Sequence, residues 1–118
     1  MARFELRESP CRSPCGWLKE EKNISVELIN VHTIKPYDFN TVNKSLLKTG
    51  RGLVIEEHNR FGGIGSIVSY HSAKECPTKI DYLNTNDKFG TTGLPDELLE
   101  AYGLSETNII NKISKILL

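Results

Sequence analysis

The sequence has no excess of charge of either sign. Of its 118 residues, 15 are Lys or Arg and 15 are Asp or Glu, so the formal net charge is zero. Proteins that bind nucleic acid usually carry a basic patch, and helices that lie on membrane surfaces are basic and amphipathic. We therefore expect no nucleic-acid partner and no membrane partner.

Long hydrophobic runs are also missing. No apolar run exceeds four residues, whereas a membrane-spanning helix needs about 20. The first ten residues, MARFELRESP, mix charged and apolar side chains and do not resemble a secretory signal peptide. The pattern predicts a cytoplasmic protein.

Cysteine and histidine are few, and their spacing does not indicate a metal site. Cys11 and Cys15 form CxxxC rather than CxxC, and Cys76 is distant in sequence. An odd number of cysteines without an export signal favours free thiols in a reducing compartment. The three histidines lack zinc-finger spacing. His71, which lies in helical register with apolar residues, is interpreted as a partly buried histidine rather than a ligand.

The segment from residue 24 onward alternates between strand-like and helix-like patterns. We predict strands at 24–31, 52–57 and 79–85, and helices at 39–49, 62–75, 95–102 and 106–117. Strand–helix alternation is typical of a mostly parallel sheet with helices on both faces. In such sheets, ligands bind at the carboxyl ends of the strands. The loops 32–37, 57–61 and 84–94 leave those ends, so we expect them to be neighbours.

Two of the predicted helices have clear capping signals and apolar stripes. Asp38 is a candidate N-cap and Gly50 a candidate C-cap of the first helix, and Ser105 is a candidate N-cap of the last. The predicted buried stripes consist of Phe39, Val42, Leu46 and Leu47 in the first helix, and Ile109, Ile110, Ile113, Ile116 and Leu117 in the last.

Residues 1–16 differ in character from the rest of the chain. They contain two prolines and two cysteines, and Phe4 and Leu6 alternate with charged residues, which is a weak edge-strand pattern. We divide the chain into an atypical leader at 1–16, expected to be poorly ordered, and a domain at 17–118.

The stretch GLVIEEHNRFGGIGS, residues 52–66, holds the main candidates for a site. Gly62 and Gly63 precede a helix, where free N–H groups can bind an anion. The motif lacks the full dinucleotide pattern and the lysine of a P-loop. The other interpretation is that these glycines allow a tight reversal and close packing of the helix.

Three polar residues follow the predicted strand in the same stretch. Glu56, Glu57 and His58 could form a proton relay, cap the helix that begins near Gly62, or bind across a boundary between subunits. Neighbouring strand residues point to opposite faces, so Glu56 and Glu57 are not expected to act as a pair.

Three segments in this order resemble the C-terminal domain of transketolases. They are VELINVHTIKPYD (26–38), GLVIEEHNRFGGIGS (52–66) and DKFGTTGLPDELLEAYGLSETNIINKI (87–113). The likeness is greatest to the separately encoded C-terminal subunit of split transketolases, and looser to 1-deoxyxylulose-5-phosphate synthases and the β subunits of 2-oxoacid dehydrogenases. It covers about residues 17–117.

The resemblance implies a three-layer α/β/α sandwich around a five-stranded mixed sheet. It also implies that this chain is part of an enzyme that moves a two-carbon ketol unit between sugar phosphates. Thiamine diphosphate and a divalent metal would be held by the pyrophosphate- and pyrimidine-binding domains, which are not in this chain. Those domains would be its partners, in an assembly that is a homo-oligomer. The C-terminal domain would have a structural, dimerisation or regulatory role and no catalysis alone.

No catalytic residue, thiamine ligand or metal ligand of the family maps onto this chain. The loop signature does map, and the resemblance implies that it shapes the crevice end of the sheet and its contact with the pyrimidine-binding domain. The residues concerned are His32, Lys35, Pro36, Glu56, Glu57, His58, Gly62, Gly63, Gly65, Ser66, Asp87, Phe89 and Gly90.

The chain departs from the family before residue 17. Members have an apolar strand there that forms the middle of the sheet, whereas ARFELR, residues 2–7, is too charged for a position buried on both faces. The chain therefore resembles a C-terminal fragment with a foreign leader. Either the other strands close the gap, or the leader substitutes for the missing strand, or the chain is unstable alone.

Two other functions remain open from the residues. The chain could be a small α/β module that binds an anion or a partner protein through the loop Gly62–Gly65. It could also be a thiol enzyme, which would require a reactive thiol of low pKa at Cys11 or Cys15.

Overall fold

The computed structural model describes residues 2–5, 18, 21–85 and 92–117. The strands are β1 (Ala2–Glu5), β2 (Glu27–Asn30), β3 (Arg51–Ile55) and β4 (Lys79–Leu83). The helices are α1 (Phe39–Thr49), α2 (Ile64–Glu75), α3 (Pro95–Ala101) and α4 (Glu106–Ile116).

The four described strands form one parallel sheet in the order β2-β1-β3-β4. Parallel neighbours require crossover connections, and α1 and α2 lie in the crossovers on either side of β3. The predicted α/β class is therefore confirmed. The described strands are all parallel, whereas the resemblance implied a mixed sheet of five strands.

Helices cover both faces of the sheet. Leu53 and Ile55 of β3 pack in one hydrophobic cluster with α4 residues such as Ile113. Val54, which points to the other face, packs in a second cluster with Val42 of α1 and Val68 of α2. This alternation along one strand produces the predicted three layers, with α1 and α2 on one side and α4 on the other.

Strand β1 corrects the interpretation of the leader. Arg3 is in register with Leu28 of β2 on one side and with Leu53 of β3 on the other, so the segment is central and the edge-strand prediction was wrong. Strand pairing uses main-chain N–H and C=O groups, which a charged segment supplies as well as an apolar one. Of the three alternatives, the leader substitutes for the missing strand. Residues 6–17 lie outside the described residues, and the division at residue 16 stays a prediction.

Helix α1 begins and ends as predicted. Asp38 Oδ1 accepts the N–H of Thr41 at 3.2 Å, and Oδ2 accepts the Thr41 hydroxyl at 2.6 Å. Gly50 has φ of 73° and donates its N–H to the Leu46 carbonyl. These contacts satisfy groups that a helix end otherwise leaves without partners.

The apolar stripes are narrower than predicted. Val42 and Leu46 of α1 are buried, but the Leu47 side chain is 69% exposed because it points about 100° away from Leu46 around the helix. Ile109, Ile113 and Ile116 of α4 are buried, and Leu117, which directly follows the helix, is exposed. Ser105 does not cap α4 with its side chain, since its hydroxyl oxygen accepts from Asn108 Nδ2.

Leu46 and Leu47 provide a test of the core. We expect Leu46→Ala to lower the free energy of unfolding by about 2–5 kcal/mol, because it removes a fully buried side chain. Leu47→Ala should change it by less than about 0.5 kcal/mol. Urea unfolding monitored by circular dichroism measures both variants, and equal effects at the two positions would contradict the packing described.

Asp38 provides a test of the cap. The Thr41 hydroxyl and then the Thr41 N–H, by donating to its carboxylate, lower the pKa of Asp38. Its stabilising contribution is therefore complete above the unfolded-state pKa of about 3.9 and is lost as pH falls through the lower folded-state pKa. We expect Asp38→Ala to have a lower Tm than the unsubstituted chain at pH 7, and this gap to narrow below about pH 4. Asp38→Asn, which keeps a capping oxygen, is the control, and a gap that stays constant with pH would contradict this assignment.

Candidate functional site

The carboxyl edge of the sheet brings together two of the three predicted loops. Thr85, after β4, donates its N–H to the His58 carbonyl at 3.1 Å and its hydroxyl to Asn59 Oδ1 at 3.0 Å. The loops after β3 and β4 are therefore neighbours, as expected. The loop after β2 borders a separate cavity of about 180 Å³, formed with the first turn of α1.

Glu56 lies at the centre of this edge. Its side chain is buried, with the residue 3% exposed. Oε2 accepts the N–H of Ile64 at 2.7 Å, and Oε1 accepts the N–H of Gly65 at 3.3 Å. Both N–H groups belong to the first turn of α2, whose N-cap residue, Gly63, has no side chain to cap it. The carboxylate thus compensates the positive end of the helix from within the protein.

The glycines of this loop fit the approach of Glu56. A Cβ atom at Gly63 would lie 2.7 Å from Glu56 Cδ and closer still to both carboxylate oxygens. A Cβ atom at Gly65 would lie 3.0 Å from Tyr82 Cδ1 and 3.1 Å from Glu56 Oε1. Gly62 has φ of 79°, which favours glycine. The glycines therefore provide room for an internal carboxylate, and this geometry argues against an external anion at the same N–H groups.

Glu57 and His58 lie apart from this buried cap. Both are exposed, in contrast to Glu56. With its proton on Nδ1, His58 donates to the Asn59 carbonyl at 3.1 Å. The sequence left three uses open for these polar residues: a proton relay, a cap for the helix, and binding across a subunit boundary. The contacts of Glu56 show that it caps helix α2.

The remaining predicted residues lie around this edge. His32, Lys35 and Pro36 are exposed in the loop after β2, and Ser66 in α2 donates its hydroxyl to the Arg60 carbonyl at 3.0 Å. Asp87, Phe89 and Gly90 lie outside the described residues. His71 is half-buried, and its ring stacks on Phe39 with 5.0 Å between centroids.

Sequence reasoning missed three exposed apolar side chains in the loops that leave the carboxyl ends of the strands. Ile34, Phe61 and Leu94 follow β2, β3 and β4 respectively, and they are 48%, 69% and 67% exposed. Large apolar residues in otherwise polar loops were the available signal. We call these three residues the docking edge.

The described residues do not fit a thiamine diphosphate and metal site. Within 2–5, 18, 21–85 and 92–117, no group of three or more His, Cys, Asp or Glu residues is placed to hold a metal ion. The helix start that could face a diphosphate is taken by Glu56. In the same part of the chain, no helix has the length and apolar character needed to cross a bilayer.

Glu56 and Gly63 provide a double-mutant test. Glu56→Ala leaves two buried N–H groups without a partner, and we expect a loss of about 2–5 kcal/mol in the free energy of unfolding. Gly63→Ala should also destabilise because its Cβ meets the carboxylate. The double variant should lose less than the sum, since removing Glu56 removes the clash. Gly93→Ala, whose nearest non-neighbour atom would be 3.4 Å away, is the control, and additive losses in urea unfolding would disprove the coupling.

Comparison with known proteins shows that the sequence is similar to part of several transketolase subunits. The chain is 34% identical over 95 residues to the 6-deoxy-6-sulfo-D-fructose transketolase subunit of Clostridium sp. strain MSTE9, a match that covers 80% of this chain and 30% of that protein. It is 33% identical over 94 residues to an apulose-4-phosphate transketolase subunit of Phocaeicola vulgatus, again covering 80% and 30%. The chain thus spans about 30% of the length of each relative.

A solved structure shares the fold. The structure described as a split gene transketolase, inactive beta4 tetramer, superposes with a TM-score of 0.82 at 26% identity, over 97% of this chain and 36% of the other. The family described as "Transketolase, C-terminal domain" matches residues 17–109. With this match over most of the chain, the protein belongs to the transketolase C-terminal domain family.

Proposed function

We propose that this chain is the C-terminal domain or subunit part of a thiamine-diphosphate-dependent enzyme of the transketolase type. The enzyme moves a two-carbon ketol unit between sugar phosphates. This chain has a structural, dimerisation or regulatory role and performs no catalysis alone. The observation that carries the proposal is the docking edge, in which the loops after β2, β3 and β4 each carry an exposed apolar side chain.

The docking edge has the composition of a contact surface. Ile34, Phe61 and Leu94 are apolar and exposed, and charged residues such as Lys35 and Glu57 accompany them in the same loops. Apolar side chains with a polar surround are typical of protein interfaces. The partner surface that we propose is the pyrimidine-binding domain of the same enzyme, supplied by another part of the polypeptide or by another subunit.

The catalytic parts are assigned to the other domains for two reasons. The relatives are named as transketolase subunits and are about three times longer than the matched region. The buried carboxylate of this chain is bonded to the N–H groups of α2 and is not available to a cofactor. We therefore propose that thiamine diphosphate and its divalent metal are bound outside the described residues. We also propose that the full assembly, which includes this chain, is a homo-oligomer.

The docking edge can be tested by assembly. The chain is co-expressed with a polypeptide that supplies the pyrophosphate- and pyrimidine-binding domains, and co-purification and ketol transfer are measured. We expect the triple variant Ile34→Ser, Phe61→Ser, Leu94→Ser to lose co-purification and at least about 90% of ketol transfer, because interface apolar anchors dominate binding.

The matched control is Leu47→Ser with Tyr70→Ser. These side chains are 69% and 68% exposed but lie on α1 and α2. The control should assemble and act like the unsubstituted chain, and circular dichroism checks that all variants fold. Normal assembly of the triple variant would refute the docking edge, and titratable binding of thiamine diphosphate to this chain alone would refute the division of roles.

A further inference from the structure

The space between β2 and β3 is bounded by the part of the chain that the family model matches. β2 (Glu27–Asn30) and β3 (Arg51–Ile55) form its two sides, and both lie within residues 17–109. β1, which fills this space and pairs in parallel with both strands, lies before that segment. We call the space between β2 and β3 the strand slot. The slot and the strand that fills it therefore belong to separate parts of the sequence.

Pairing in the strand slot is continuous along both sides. Every residue of Ala2–Glu5 is in register with one residue of β2 and with one residue of β3. The bonds of such a ladder use main-chain N–H and C=O groups, which all residues except proline supply. When a segment is added to a sheet, these bonds give affinity and alternate side chains give specificity. The slot therefore requires an extended segment in parallel orientation, and the neighbouring side chains decide which segment fits best.

Two positions in the strand slot favour apolar residues. Arg3 is in register with Leu53, which is fully buried, and with Leu28, which is 38% exposed. Glu5 is in register with Ile55, which is 5% exposed. Residues in register on neighbouring strands point to the same face of a sheet, so their side chains are neighbours. An apolar residue in place of Arg3 or Glu5 would therefore bury more apolar surface against β3.

The connection between β1 and the rest of the chain is long enough for β1 to leave the slot. Leu18 is fully buried in the hydrophobic cluster that includes α4, and its carbonyl accepts the N–H of Ile24 at 3.0 Å. Residues 6–17 join this packed position to Glu5, and a segment of that length spans up to about 40 Å when extended. β1 can thus be released while Leu18 keeps its contacts.

We propose that the strand slot accepts an extended apolar segment of another polypeptide, which displaces β1 and pairs in parallel with β2 and β3. The segment carries apolar residues at the two positions in register with Leu53 and Ile55. β1 is the exchangeable occupant that pairs with both strands until the partner binds. The slot consists of strand residues rather than the loop residues of the docking edge, so this inference holds or fails independently of the proposed function.

Displacement of β1 depends on its effective concentration at the slot. For a segment on a short tether this concentration is on the order of 1 mM. Each apolar residue that replaces a charged one beside a buried side chain should tighten binding about tenfold. A segment with apolar residues at both positions should therefore displace β1 at about 10 µM, whereas a segment with the sequence of β1 should require about 1 mM.

The proposal is tested with the full chain and two fluorescent peptides. The valine peptide has the sequence of residues 2–7 with Arg3→Val and Glu5→Val, and the second peptide has the unsubstituted sequence. We expect fluorescence anisotropy to show about a hundredfold tighter binding of the valine peptide. Binding should accelerate hydrogen exchange of the Ala2–Glu5 amides at least about tenfold and leave β3 protected.

Variants of the chain show where the peptide binds. Arg3→Val with Glu5→Val in the chain itself makes β1 a stronger competitor, so this variant should bind the valine peptide at least about tenfold more weakly and have a higher Tm. The docking-edge variant, Ile34→Ser with Phe61→Ser and Leu94→Ser, leaves the slot unchanged and should bind the valine peptide normally. Circular dichroism verifies that each variant is folded before titration.

Several results would each overturn the proposal. In the unsubstituted chain they are no binding of the valine peptide up to about 1 mM, equal affinity for the two peptides, and no acceleration of exchange at Ala2–Glu5 on binding. Among the variants they are unchanged binding when the chain carries the two valines, and loss of binding in the docking-edge variant.

Discussion

The contact between the Glu56 carboxylate and the first turn of α2 organises the carboxyl edge of this domain. Glu56 directly follows β3, and the N–H groups that it accepts belong to Ile64 and Gly65. A buried carboxylate is costly unless its oxygens receive hydrogen bonds. The loop between strand and helix must therefore return tightly enough to bring those N–H groups to the end of β3.

The same contact explains why the glycines stand where they do. Without a Cβ at Gly63, the α2 backbone can meet the carboxylate, and without one at Gly65 the helix can lie against Tyr82. A glycine-rich loop before a helix is often a phosphate site because its N–H groups are free. Here the Glu56 carboxylate occupies the N–H groups of Ile64 and Gly65. The loop therefore connects the end of β3 to the start of α2 through a contact within the protein. The docking edge is the surface that we propose for contact with another domain.

The central position of β1 shows how little a strand's place in a sheet depends on its side chains alone. Ala2–Glu5 carries two charged residues, yet it pairs with both β2 and β3. Without β1, the main-chain N–H and C=O groups on the facing sides of β2 and β3 would lack hydrogen-bond partners. The extended segment Ala2–Glu5 pairs with both strands and supplies those partners. The family match begins at residue 17, so this strand lies before the segment that the family model matches.

Much of the fold could be predicted from the sequence because it depends on neighbours within one or two helical turns. Asp38 caps α1 through Thr41, Gly50 ends that helix in a left-handed conformation, and Pro95 begins α3. The periodicity of Val42 with Leu46, and of Ile109 with Ile113, also identified the buried faces. The three motifs, in their order along the chain, are enough to indicate the family.

The sequence by itself therefore determined the class of fold, the helix ends, the main core residues and the family. The tertiary structure decided which polar residue is buried at the start of α2, which strand is central, and which helices cover each face of the sheet. Glu56 and its partners are eight and nine residues apart, with a reversal of the chain between them. Local hydrogen bonds follow from spacing along the chain, whereas contacts between separate elements depend on how those elements pack, and no periodicity in the sequence records that packing.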